Sequence, residues 1–382
     1  MIFLILIKNI NIFTPESIGV LDILISGEKI IHIDKNINIP STFPEYTVIN
    51  GEGLYALPGI IDLHIHISGA GGEDGFSSRT EELKYPSIVE SGITTAIGLL
   101  GTDGSTRSME NLLAKAYSLE ERGLTTYLWT GSYQIPLVPL TEDIKKDIIF
   151  IPKIIGVGEL AVSDHRGSHP STYDLIKICS MTRNAGLISG KCGITHFHLG
   201  DGKEKMSPIF NIVNNSEIPL YNILPTHINR NTPLFFESID YCKKGGYVDI
   251  TTGIRPDGDD VVDPPIAFKQ LLESGCNVDN ITMSSDSGGS MPIFEPDGTL
   301  KSITTSPPTT NLDVFRDLVR DGMDISTAIT PLTSSPAKLL KFKNKGYISV
   351  GFDADIMILD NSLNLKSLIA RGNILYDDYK LS

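Results

Sequence analysis

The middle of the chain alternates short apolar runs with longer stretches whose apolar residues recur at helical spacing. The runs are "IIDLHIH", "TTAIGLLG", "TTYLWTGSY", "IIGVGELAVSD", "ITHFHLG", "ILPTHIN", "VDITTG" and "ITMSSDS". Between them lie "SMENLLAKAYSLEER", "STYDLIKICSMTRN", "PLFFESIDYCKK" and "PPIAFKQLLESG". Apolar strands separated by amphipathic helices are the pattern of repeated βα units around a parallel sheet. Eight such strands predict a closed (β/α)8, TIM-like barrel. An open doubly wound sheet would need a glycine-rich phosphate loop after its first strand; "SGAGGEDG" stands there but lacks the G-x-G-x-x-G spacing.

The two ends read differently. "IFLILIKN", "GVLDILISGEKIIHID" and "YTVINGEG" near the start, and "GYISVGFDADIMILD" and "LIARGNILYDD" near the end, are β-rich runs broken by turn residues. Neither piece is long enough for a core of its own. They are expected to pair into one small β-sandwich domain, residues 1–56 with 346–382, leaving 57–345 to the barrel.

Polar residues interrupt the apolar strands toward their C-terminal halves, where barrel enzymes assemble their sites. They are His64 and His66 at i and i+2, Glu159, His196 and His198, His227 with Arg230, and Asp286. Glu159 stands out, because an isolated carboxylate in an apolar strand costs several kcal/mol without a compensating cation. Four imidazoles and two carboxylates converging on one mouth suit two zinc-like ions, with Glu159 as a bridging ligand. Taken singly, each group has a plainer reading: two histidines in a polar cleft, a glutamate paired with arginine, an aspartate capping a helix.

Composition narrows the partners. The chain has 382 residues, 41% hydrophobic and 20% charged, enough for a large core, and its net charge of −14 disfavours nucleic acid and anionic membrane as partners. A small-molecule or peptide substrate fits better. Cys179, Cys192, Cys242 and Cys276 show no CxxC spacing and read as core thiols of a cytoplasmic protein. The opening "MIFLILIKNINIF" reads as a strand, since its apolar run stops at Lys8 with no cleavage site after it. No uninterrupted apolar run approaches the ~18 residues of a membrane span.

"PGIIDLHIH" at the first strand, later single histidines on two strands, an aspartate at the eighth and a closing "GFDADIMILD" resemble the amidohydrolase superfamily over essentially the whole chain. More narrowly, "GGEDG", "GLLGTDG", "TGSYQIP", "SDHRGS", "FHLGD", "LPTHINRN" and "SSDSGGS" resemble the isoaspartyl dipeptidase family. The resemblance implies that His64, His66 and Asp286 hold one zinc and His198 and His227 the other, with His196 left as a supporting or core histidine. It places Glu159 where that family often has a carboxylated lysine. The nearby lysine, Lys153, lies before the apolar core of its strand.

The same resemblance implies a hydroxide bridging the two zinc ions of each subunit, which attacks the amide between an aspartyl side chain and the next amino acid. Tyr133 would donate to the oxyanion and Asp286 would carry the proton. Arg166 and Arg230 would grip the leaving residue's carboxylate, Glu73 with Ser290 would meet the α-ammonium, and Thr102 with the backbone of Gly71 would hold the remaining carboxylate. A homo-oligomer is expected. A cyclic amide (hydantoinase- or dihydroorotase-like) or an N-acyl amino acid is the alternative substrate, and a non-catalytic assembly protein the alternative class. Plainer readings pair Arg166 with Asp164 or Glu159, make Tyr133 a core residue, make Glu73 a solvated loop acid, put His32 and His169 at the surface, and make "KLLKFKNKG" a solvated helix end.

Overall fold

The computed structural model describes residues 4–40, 45–254, 260–295, 297 and 299–378. Five strands come first: β1 (Leu4–Phe13), β2 (Ser17–Ser26), β3 (Lys29–Asp34), β4 (Thr47–Asn50) and β5 (Tyr55–Pro58). Eight follow in the central region: β6 (Ile60–Ile65), β7 (Ile93–Gly98), β8 (Thr125–Thr130), β9 (Ile154–Val162), β10 (Ile194–Leu199), β11 (Ile223–Thr226), β12 (Val248–Thr251) and β13 (Ile281–Ser284). A hairpin, β14 (Met291–Phe294) with β15 (Leu300–Thr304), precedes β16 (Ile356–Leu359), β17 (Leu365–Ala370) and β18 (Asn373–Asp377).

Both ends of the chain meet in one hydrogen-bonded sheet of order β18-β17-β16-β5-β1-β2-β3, with β4 also against β1. Antiparallel pairing of β5 with β16 is the seam between the two ends. "IMIL" of β16 is apolar at every position because both faces are covered. Ile356 and Ile358 join Ile7, Ile12 and Ile25 in the sheet's own cluster, whereas Met357 and Leu359 enter the core around the central strands. The lysine that ends the basic stretch "KLLKFKNKG" is not solvated. Lys345 is buried, with its Nζ 2.6 Å from Asp355 and 3.0 Å from Asp353, and Asp353 also takes Lys29 at 2.6 Å. Two carboxylates carried into the sheet by "GFDADIM" need that cation.

Strands β6 to β11 form a parallel six-stranded sheet, and β12 with β13 a parallel pair. Hydrogen bonds cross both seams: Ile228 N to Asp249 O at 3.4 Å on one side, and His66 N to Ser287 O at 2.8 Å with Asp286 N to His64 O at 3.1 Å on the other. Helices including Met109–Glu121, Thr172–Ser189, Thr232–Lys243, Pro264–Glu273 and Thr310–Arg320 bury their apolar stripes against one face of these strands. The first three of these are capped by the side chains of Ser108, Ser171 and Asn231, the second with Asp174 in a reciprocal box. Ile61, Leu63, Ile97, Trp129, Ile155 and Ile194 fill the opposite, inner side.

The inner face determines which polar side chains meet. On β10, Ile194, His196 and His198 follow one another at every second residue, while Phe197 and Leu199 pack outward. On β6, Ile61 and Leu63 point inward, yet the next inward residues are His64 and His66, because the pairing with β7 is irregular between Asp62 and Ile65. Strict alternation would have turned His64 away from the mouth. Replacing Lys345 by Met takes the cation from the buried Asp355 carboxylate, and urea unfolding is expected to show a loss of about 3 kcal/mol; an unchanged midpoint and slope would refute the role given to this ion cluster.

Candidate metal centre and active site

The six groups singled out in the sequence come together at the C-terminal ends of the central strands. His64, His66, Glu159, His198, His227 and Asp286 are all buried. Their donor atoms fall into three overlapping groups: His64, His66 and Glu159; His64, His227 and Asp286; Glu159, His198 and His227. Glu159 is common to two of them because its oxygens face opposite ways. Oε1 lies 3.5 Å from both His64 Nε2 and His66 Nε2, while Oε2 lies 3.0 Å from His198 Nδ1 and 3.5 Å from His227 Nε2.

These distances suit a metal better than direct hydrogen bonds. His64 Nε2 and His66 Nε2 are 3.3 Å apart, and Asp286 Oδ1 lies 3.3 Å from the first and 3.1 Å from the second. Ligand atoms 2.0–2.2 Å from one tetrahedral ion stand roughly 3.3–3.6 Å from each other. His64, His66 and Glu159 therefore form one cluster suited to a divalent ion, with Asp286 within 3.3 Å of both histidines, and imidazole with carboxylate oxygen is the donor chemistry such an ion takes.

Supporting contacts turn the ring nitrogens the right way. His64 Nδ1 lies 2.8 Å from His196 Nε2, and His196 Nδ1 lies 3.2 Å from the Leu224 carbonyl. The carbonyl can only accept, so His196 donates from Nδ1, receives the His64 Nδ1 proton at Nε2, and leaves the His64 Nε2 lone pair facing the ligands. Likewise His227 Nδ1 meets Thr251 Oγ1 at 2.7 Å, which directs Nε2 to Glu159. His196 thus sits one layer below His198, stacked on Trp129, and acts on the site through His64. The sequence leaves His196 as a supporting or core histidine and gives no signal for Thr251, although both lie on strands whose inward residues carry the site.

Electrostatics agree with a site awaiting positive charge. Burial raises the carboxyl pKa of Glu159, but the charge of His64 and hydrogen bonds from His198 and His227 outweigh it and hold it well below the usual range. Burial likewise disfavours charged His64, yet Glu159 and Asp286 keep its pKa well above the ordinary imidazole value. His227 goes the other way, to about 3, through burial and the neighbouring His198. Burial and then Glu159 push the Tyr133 hydroxyl well above its usual value, so it keeps its proton. That hydroxyl lies 2.8 Å from His198 Nδ1. The ligands His227 and Asp286 have left-handed backbone, φ 61° and 53°. Such conformations cost on the order of 1–3 kcal/mol each and persist where surroundings over-determine them.

The expected substrate-facing residues divide into two sets. Glu73 is buried: its Oε1 accepts from Thr102 Oγ1 at 2.9 Å and Ser290 Oγ at 2.8 Å, with Arg166 Nη1 at 3.4 Å, and its Oε2 is enclosed without a hydrogen-bond partner. It is not a solvated loop acid. Thr102 is thereby placed on Glu73. Gly71 lies beside both, since a Cβ there would stand 3.1 Å from Ser290 Cβ and 3.4 Å from Glu73 Oε2. Arg166 makes a two-pronged pair with Asp164, a residue sequence reading treated only as an alternative partner. Arg230 is held at the same mouth by a 3.0 Å bond from Nε to the carbonyl of Leu199, next to His198. Lys153 is remote, with its Nζ 2.7 Å from Thr126 Oγ1 and from Glu120, at the opposite end of β9. His32 and His169 are exposed, as expected.

Comparison with known proteins places this arrangement. The profile of the Amidohydrolase family matches residues 256–375. A crystal structure of the beta-aspartyl dipeptidase from Fervidobacterium islandicum AW-1, in complex with the beta-Asp-Leu dipeptide, is 40% identical, superposes with a TM-score of 0.92, and is matched over 99% of this chain and 98% of that one. Among curated relatives, the dihydroorotase of Aquifex aeolicus is 31% identical over 33% of this chain and 29% of its own length. The adenine deaminase of Thermosipho africanus is 25% identical over 99% of this chain and 59% of its own length, so the chain spans less than two thirds of either. The chain belongs to the amidohydrolase family and, within it, to the group of the beta-aspartyl dipeptidases.

Two measurements test the centre. Position 159 is a glutamate rather than a lysine that could be carboxylated, so metal content by mass spectrometry should not depend on bicarbonate, and Glu159→Ala should lose metal without rescue by it; recovery with bicarbonate would contradict a ligand role for Glu159. In metal-free protein His64 must shed a proton to bind, and its pKa is raised, so apparent Zn2+ affinity should climb from pH 6 toward pH 8 by up to about tenfold per unit. His227, neutral above its value of about 3, adds nothing to that slope. Competition titrations showing weaker binding at the higher pH would contradict this.

Proposed function

We propose that the protein is a dipeptidase that hydrolyses the amide between an aspartyl side chain and the next amino acid, and that His64, His66, Glu159, His198, His227 and Asp286 would hold two zinc ions for it, with Glu159 shared between them. The observation that carries the substrate is the enclosed Oε2 of Glu73, an anionic oxygen without a partner beside the donor cluster. A free α-ammonium would satisfy it; a cyclic amide or N-acyl amino acid has none to offer. The dipeptide bound in the 40% identical relative, beta-Asp-Leu, has such an ammonium and two carboxylates.

When bound, the two ions supply Lewis acidity that polarises the scissile carbonyl and lowers the pKa of an attacking water. The rest falls to the chain. Asp286, ionised because its carboxyl is held low against burial by His64 and His66, takes the proton of that water and passes it to the departing amine nitrogen as the C–N bond breaks. Tyr133, protonated, donates to the oxygen that gains charge. Glu73 meets the ammonium, oriented by Ser290 and Thr102, and Thr102 with the backbone of Gly71 is assigned to the aspartyl α-carboxylate. Arg166 and Arg230 bind the carboxylate of the leaving residue. We read the two parallel sheets as one (β/α)8 barrel of residues 57–345, with a small β domain of residues 1–56 and 346–382.

Metal-replete enzyme should release aspartate from β-Asp-Leu and leave α-Asp-Leu essentially intact. Glu73→Gln should lower kcat/KM on β-Asp-Leu by on the order of 10²–10³-fold, as expected for removing one partner of a buried charged pair. Equal rates on both dipeptides, or no turnover of either, would sink the proposal.

A further inference from the structure

Asp164 belongs to neither the ligand set nor the substrate set, yet it touches both. It follows β9 directly and its side chain is 3% exposed. Oδ2 lies 2.9 Å from His198 Nε2 and accepts from Arg166 Nη2 at 2.7 Å; Oδ1 accepts from Arg166 Nε at 3.0 Å and from the Arg166 backbone N–H at 2.8 Å. The carboxylate is fixed from behind. A Cβ on Gly200, which follows β10, would stand 2.4 Å from Asp164 Cβ, so only glycine admits this approach. The preceding Ser163 bonds through Oγ to the Lys205 carbonyl at 2.7 Å, and its carbonyl takes Gly202 N–H at 2.6 Å.

We propose that Asp164 is a positioning residue that fastens the His198 ring and the Arg166 guanidinium to one carboxylate, so that metal binding and recognition of the leaving carboxylate share an anchor. The inference rests on the dipeptidase reading of the site. With the Nε2 proton of His198 given to Asp164, the Nδ1 lone pair faces Glu159 Oε2, and a carboxylate behind a metal-binding imidazole fixes its tautomer and strengthens it as a ligand. On the other side the two parallel bonds to Nε and Nη2 hold the guanidinium plane, leaving its Nη1 edge toward Glu73. A simple counter-charge for Arg166 would affect substrate binding alone.

Asp164→Asn separates these roles. Zn2+ titration of the metal-free variant against a chelating dye should show one of the two equivalents loosened 10–100-fold, the size expected for losing an outer-shell partner, with the other unchanged. KM for β-Asp-Leu should rise at least tenfold. In an Arg166→Met background, Asp164→Asn should still loosen metal but add nothing further to KM. Wild-type metal affinity in Asp164→Asn overturns the proposal, and so does an additive effect on KM. Asp164→Ser, smaller at the contact with Gly200, carries the same expectations should the asparagine variant not fold. The metal titration needs no turnover, so an inactive wild type would remove the dipeptidase reading without deciding the anchor.

Discussion

One carboxylate facing two ways organises this protein. Glu159 offers one oxygen to His64 and His66 and the other to His198 and His227, inside a region from which water is largely excluded. A lone glutamate there would cost several kcal/mol, so the fold has to keep imidazole partners on both sides at ligand distance. The irregular pairing of β6, which brings two consecutive odd-numbered apolar residues and then two even-numbered histidines inward, serves that need. So does Gly158, where a Cβ would stand 2.7 Å from that of His196 and force β9 away from β10.

Around this centre the work is divided by element type. Donor atoms stand on or within two residues of the ends of strands, whose positions are set by ladders and by the helices packed behind them. Groups assigned to the substrate stand on separate loops: Glu73 after β6, Thr102 after β7, Tyr133 after β8, Arg166 after β9, Arg230 after β11 and Ser290 after β13. His196, Thr251 and Asp164 form a layer between, each turning a ligand ring by one hydrogen bond. Rigid donors with adjustable surroundings are what a site needs if the same chemistry is to be kept while its clientele changes.

Much of this was legible in the chain. A charged or imidazole residue in an otherwise apolar strand is costly enough to mark itself, which is why His64, His66, Glu159, His198 and Asp286 could be picked out beforehand. All eight central strands lie where the apolar runs put them, ending earlier because the polar residues belong to turns. What stayed hidden depends on the third dimension. In "HFHL" the two histidines have equal chemistry; the resemblance names the second as ligand, but the contact by which the first turns His64 depends on a neighbouring strand. Asp164 can be paired with Arg166 from sequence, but its second contact, to His198 on the next strand, cannot. Lys345 looked solvated because its two aspartates arrive eight and ten residues later. The four-residue β5 escaped notice because it merges into the apolar run of β6, and β14 with β15 has no core of its own to write a pattern.

That merger of β5 and β6 has a mechanical meaning. Only Gly59 separates the strand that seals the two chain ends together from the strand that carries His64 and His66. There is no slack at this joint: a side chain on Gly59 would strike Thr94, with a Cβ 2.2 Å from its Cγ2, and its N–H is tied to the Asp355 carbonyl at 3.0 Å. The terminal sheet is thus a clamp on the far end of the histidine strand, and the catalytic mouth inherits its stiffness from a part of the molecule it never touches. Anyone redesigning this enzyme can treat the loops above as replaceable parts, but the joint below as the bench to which the tool is bolted.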